Sequence, residues 1–112
     1  MKFEINNRKW EIMEIDGNWL LSEYQKEYED AIFCFGLTKY NTQIIYLNRD
    51  MKDDVKKQTL YHELMHCYVW SFVTKGIEIS EEVMCDISAN SHDLIHKIVD
   101  DYFKKIRMKD IN

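Results

Sequence analysis

Four histidines stand in this 112-residue chain, and they fall as two pairs of equal spacing, His62 with His66 and His92 with His96. Residues four apart on a helix lie about one turn from each other on one face, so either pair could aim two imidazoles at a common point. The first pair encloses a carboxylate, in the order His62-Glu63-Leu64-Met65-His66. Two neutral imidazoles suit a zinc ion, while Glu63, one step round the helix, cannot ligate with them but can touch a water on the ion. Zinc lowers the pKa of that water to about 7, and a neighbouring carboxylate then takes its proton as the oxygen attacks a carbonyl. The competing reading is a helix with two core histidines. There, two unligated imidazoles and a carboxylate would each need a hydrogen-bond partner.

A catalytic zinc needs a third protein ligand and an open position. The sequence Glu81-Glu82-Val83-Met84-Cys85-Asp86 opens a later helical segment. Glu82 and Asp86 share a face there, so Glu82 is expected as the third ligand and Asp86 as the group that orients an imidazole. Glu81 and Asp86 are the fallback ligands, and a charged helix start facing water is the plain alternative. His92-Asp93-Leu94-Ile95-His96 has aspartate where the base should be and begins ten residues beyond Glu82, about 15 Å along a helix axis, so it cannot join the same site. Surface or helix-packing histidines are expected there. Tyr46 and Tyr61 are candidate stabilisers of a developing oxyanion, against a default of ordinary packing.

The elements that must position these groups follow from periodicity. Lys2 to Ile5 and Lys9 to Ile15 alternate apolar with polar around Asn6-Asn7-Arg8, which predicts a β-hairpin. Asp16-Gly17-Asn18 reads as a turn and Trp19 to Asp30 as a weak helix. Ala31 to Leu37 reads as a strand ending at Gly36 or as a buried connector. Thr42 to Asn48 is a clearer strand, with Ile44 and Tyr46 on one face and Ile45 and Leu47 on the other. A long helical pattern is capped by Asp53 or Asp54, runs through Lys75 and closes at Gly76. Its apolar positions Val55, Leu60, Leu64, Met65, Val69, Phe72 and Val73 cover so much of the circumference that it is expected in the core. A second long helix starts at Ser80 and runs to about Met108. This order predicts an α+β fold, a small antiparallel or mixed sheet packed on the buried histidine helix and a long C-terminal helix.

Composition narrows the classes further. The chain is 46% hydrophobic and 13% aromatic with no proline and three glycines, which indicates a single globular domain spanning residues 1–112 without a flexible linker. Twenty acidic against fifteen basic residues, a net charge of −5, argue against a direct grip on nucleic acid; the Lys97 to Lys109 cluster is diluted by aspartates and suits a solvated helix end. The charged, alternating N-terminus is no signal peptide, and the apolar run Leu64 to Thr74 is far shorter than the about 20 residues a bilayer requires. A cytoplasmic protein without membrane association is expected. Cys34, Cys67 and Cys85 sit among apolar neighbours in an odd number, which favours buried, reduced thiols.

His62-Glu63-Leu64-Met65-His66 followed by Glu82-Val83-Met84-Cys85-Asp86 resembles the small phage- and mobile-element-associated zinc metallopeptidases of the ImmA/IrrE type, zincins with a glutamate ligand. The resemblance spans roughly Gly36 to Ala89. It implies a minimal zincin-like catalytic domain with one Zn2+ on His62, His66 and Glu82, Glu63 as general base and Asp86 orienting His62. It also implies endopeptidase activity on a protein substrate, in some members a repressor, so a phage or mobile-element regulator is the expected kind of target. Met65 and Cys85 stand where many relatives carry glycine and alanine, and neither position supplies a ligand. The Thr42 to Asn48 strand is the expected edge for pairing with an extended substrate. The same ligands would also serve a zinc-stabilised binding protein that sequesters a regulatory partner without cutting it.

Overall fold

A computed structural model describes residues 1–72 and 79–111. The first two strands, β1 (Lys2–Ile5) and β2 (Arg8–Ile15), form the expected antiparallel hairpin. Its turn is made by Asn6 and Asn7, with φ of 51° and 64°, the left-handed conformation that asparagine tolerates and that type I′ turns require. Asp16 caps the following helix α1 (Gly17–Gln25) by accepting from the Trp19 amide. This helix ends five residues before Asp30, where the sequence pattern continued it. A connector without regular structure leads to β3 (Gly36–Lys39), so Ala31 to Phe35 is connector and the strand begins at Gly36. A turn with Gln43 at φ 56° then delivers β4 (Ile44–Asn48).

The four strands lie in the order β1-β2-β4-β3, with β2 and β4 parallel and the two outer pairings antiparallel, giving a mixed sheet and an α+β fold. One consequence overturns an expectation from the sequence. β4 is paired on both sides, so the Thr42 to Asn48 segment cannot offer an edge to a substrate. The free edges belong to β1 and β3.

Strand alternation sorts the two faces of the sheet. Trp10, Ile12, Ile45 and Leu47 are buried beneath the two long helices, α2 (Asp53–Phe72) and α3 (Glu81–Ile111). On the opposite face α1 contributes buried Leu20 and the Trp19 ring, which packs 5.1 Å from Tyr46. The Lys52 carbonyl opens the α2 ladder, so Asp53 and Asp54 fall within the first turn rather than capping it, where their charge still suits the dipole. Only Leu60, Glu63, Leu64 and Cys67 of α2 are fully buried, while Phe72 is exposed. The helix is therefore core on the sides facing the sheet and α3 and open on a third. The predicted close at Lys75 and Gly76, with Val73, lies outside the described residues.

Ser80 caps α3 as expected, its hydroxyl accepting from the Val83 amide. The stripe Ser91, Ile95, Ile98, Val99 and Tyr102 is buried, and Ser91 and His96 meet Met65 and Tyr61, so the two helices run antiparallel. Tyr102 donates to Glu14, which also pairs with Lys56 at 2.6 Å. That cluster ties α3 and α2 to β2. No helix among the described residues is long and apolar enough to cross a membrane.

Candidate metal centre

His62, Glu63 and His66 fall within five residues of α2, which packs on both the sheet and α3. Their ligand-capable atoms all lie within 4.8 Å of one another, and no other set of three such residues does so among the described residues. The Nε2 atoms of His62 and His66 are 3.2 Å apart with the rings inclined at 76°. Two imidazole nitrogens each about 2.0–2.1 Å from a tetrahedral ion stand about 3.3 Å apart, so the pair already has the bite of a zinc chelate. Without an ion, the same approach lets one ring N–H donate to the other ring's nitrogen. Burial first, and the neighbouring His62 second, hold the His66 imidazole below its usual pKa of 6.5, which favours the neutral form that ligation requires.

Glu63 is 5% exposed, the one buried carboxylate among the described residues. Its burial pushes its pKa up from 4.5, an effect tempered by His62 and by the hydroxyl of Thr38. Thr38 Oγ1 lies 3.4 Å from Glu63 Oε1 and 3.5 Å from its backbone carbonyl, so the edge strand β3 holds the carboxylate from the side. Such close approach needs Gly36. A Cβ there would stand 2.7 Å from Thr59 Cγ2 and 3.1 Å from Glu63 Cγ.

The three residues open into a cavity of about 600 Å³ between α2, β3, the end of α1 and the connector. Tyr28, Phe33, Phe35 and Tyr40 line it and remain exposed. The connector is held in place by Asn48, whose buried amide donates to the Cys34 carbonyl while its backbone N–H donates to that of Phe35. Cys34 points inward and its thiol is pushed up to about 11 by burial and by Glu63. Cys67 is likewise buried with a raised pKa. Cys85 is exposed, contrary to the expectation of three buried thiols, because it lies off the packed stripe of α3.

Other sequence candidates fall elsewhere. Val83 and Ile87 continue the half-buried stripe of α3, so Glu82 and Asp86, one residue before each, turn about 100° away and are exposed. Glu81 is exposed too. None of these three carboxylates belongs to the His62–Glu63–His66 group. Tyr46 packs on α1 at the far face of the sheet and Tyr61 hydrogen-bonds His96 at 2.6 Å, so neither lines the cavity. Tyr40 does, stacked on Trp70 at 5.8 Å one turn after His66. It escaped sequence reasoning because it sits in a turn with no periodic signal. His92 and His96 stack nearly parallel and belong to no group of three ligands among the described residues, in keeping with helix-surface histidines. No family model, curated protein or solved structure matches the chain.

Proposed function

We propose that this chain is a zinc-dependent endopeptidase that hydrolyses a peptide bond in a protein substrate, with His62 and His66 holding the ion and Glu63 as general base. The observation that carries this reading is the 3.2 Å convergence of two Nε2 atoms beside a buried carboxylate, in an open cavity. A zinc ion held there would supply an acidified water and an electrophilic contact for the scissile carbonyl. With the ion bound, Glu63 would be the residue to accept a proton from the attacking water and return it to the departing amine. Its raised pKa suits both transfers, because an ordinary carboxylate is too weak a base to take that proton readily and too strong an acid to keep it.

β3 supplies the second part of the reading. The Asn48 amide bonds the Phe35 carbonyl, so alternation along the antiparallel pair turns the backbone groups of Gly36 and Thr38 outward. An extended peptide pairing with that edge would lie along the cavity and pass the imidazoles. Glu82 as third ligand and Asp86 as the group orienting His62 rest on the sequence resemblance alone, since both are exposed and stand outside the His62–Glu63–His66 group, and a phage or mobile-element regulator as target rests on it too. A zinc-stabilised module that sequesters such a regulator without cutting it is the alternative, and Glu63 is the residue that separates the two.

Zinc content and hydrolysis of an unfolded protein substrate, measured on the wild type, Glu63→Gln and Glu82→Ala, test the reading. Glu63→Gln should keep its zinc and lose about 10²- to 10⁴-fold in rate. Glu82→Ala should lose zinc. Hydrolysis unchanged in Glu63→Gln contradicts the role of that residue, and zinc retained in Glu82→Ala removes Glu82 as a ligand.

A further inference from the structure

Five of the ten large apolar side chains left exposed among the described residues, Tyr28, Ile32, Phe33, Phe35 and Tyr40, fall within thirteen residues of one another. Four of them line the cavity that holds the imidazole pair. Their exposure is substantial, at 56% for Tyr28, 49% for Phe33 and 52% for Phe35. Apolar surface gathered in this way at a concave site marks a place where apolar ligand surface is received.

The connector is built to hold these rings outward. Cys34 is buried and tied through its carbonyl to Asn48, and its thiol donates to the Gly36 carbonyl. Phe33 and Phe35 flank it, project into the cavity and meet edge to face with centroids 4.7 Å apart. Tyr28, which lines the same cavity, packs on Tyr24 with ring centroids 4.8 Å apart. The wall is therefore pre-formed. Among the described residues, the charged ones lining the cavity besides the imidazoles are Glu27 and Glu63, and no lysine or arginine lines it. Lys39, the nearest cation along β3, is already paired with Glu23 at 2.7 Å.

We infer that the Tyr28–Phe33–Phe35 wall is a side-chain subsite that selects substrate segments bearing a large apolar residue with neutral or basic neighbours, and rejects acidic ones. The inference rests on the proposed peptidase reading for what happens after binding, but the selection itself does not require cleavage. An apolar side chain seated between the rings would be drawn out of water, and its register on the β3 edge would fix which peptide bond lies over the imidazoles. Glu27 at the rim would attract a flanking cation and repel a flanking carboxylate.

The test uses the full wild-type chain freed of metal by chelation, so that bound peptide stays intact and the charge of an ion does not enter the ranking. Fluorescence anisotropy is measured with three short labelled peptides: one with a central phenylalanine between lysines, one with serine replacing that phenylalanine, and one with the phenylalanine between glutamates. The first should bind about tenfold or more tightly than either of the others. Phe33→Ala combined with Phe35→Ala should erase the preference for phenylalanine over serine, with zinc uptake on reloading unchanged. Glu27→Lys, an exposed change that spares the connector, should erase the preference for lysine flanks. Equal binding of all three peptides, or a ranking that survives both sets of changes, overturns the inference. If the ranking holds but zinc-loaded wild type cuts none of the peptides, the peptidase reading falls and the subsite stands. If all three are cut at one rate, the peptidase reading stands and the subsite falls.

Discussion

The two histidine pairs have the same spacing and differ in nearly everything else. His62 and His66 bring their Nε2 atoms to 3.2 Å with the rings steeply inclined. His92 and His96 stack almost parallel, 14° apart, at 5.9 Å between centroids. In the second pair His96 has other partners, its Nδ1 meeting Tyr61 and its Nε2 lying 3.4 Å from Asp100. The first pair sits beside a carboxylate that the sheet has buried, whereas Asp93, at the matching position of the second, is exposed. Spacing decides only that two side chains share a helix face. What that face meets decides whether they form a site.

The largest expected effect would break the comparison outright. His62→Ala or His66→Ala should weaken zinc binding by at least about a hundredfold, while His92→Ala and His96→Ala leave it unchanged. Metal analysis after dialysis reads this directly, and equal losses from both pairs would show that spacing alone governs binding. Next in size is Gly36→Ala, which drives a methyl into Thr59 and Glu63 at the first pair only. It should cost about 1–3 kcal/mol in thermal or denaturant unfolding and slow hydrolysis as well.

A smaller effect sharpens how dry the first pair's surroundings are. The Cys34 thiol is held up at about 11 against an ordinary 9, so the folded chain keeps this proton more tightly than the unfolded one. Its contribution to stability is complete below pH 9 and is lost as pH rises from 9 to 11, by about 1–2 kcal/mol once partial solvent access is allowed for. Denaturant midpoints across that range should fall more steeply for the wild type than for Cys34→Ala. The smallest effect belongs to the second pair. Tyr61→Phe removes its hydrogen bond to His96 and should cost about 1 kcal/mol or less, with zinc affinity untouched.

Much of this arrangement can be read from local sequence. Asn6-Asn7 between alternating runs, Ser80 before Glu81 and Glu82, and the apolar periodicity around Leu60 and Leu64 each encode an element through contacts a few residues long. The shared face of His62 and His66 belongs to the same class. What stayed hidden depends on distant pairing. Nothing near Thr42 to Asn48 shows that β2 and β3 flank that strand, and so the substrate edge moves to Gly36–Lys39. The exposed rings of Phe33 and Phe35 look like core residues until Asn48 anchors the backbone between them. Tyr46 and Tyr61 looked equally able to reach the site, and only packing against Trp19 and His96 takes them away from it.

X-ray absorption at the zinc edge, on protein loaded with one equivalent of the metal, tests the central claim without recourse to activity. Two imidazole shells at about 2.0–2.1 Å, completed by oxygen and reduced to one imidazole in His66→Ala, are the predicted outcome. A spectrum free of imidazole scattering, or one that His66→Ala leaves unchanged, would contradict it.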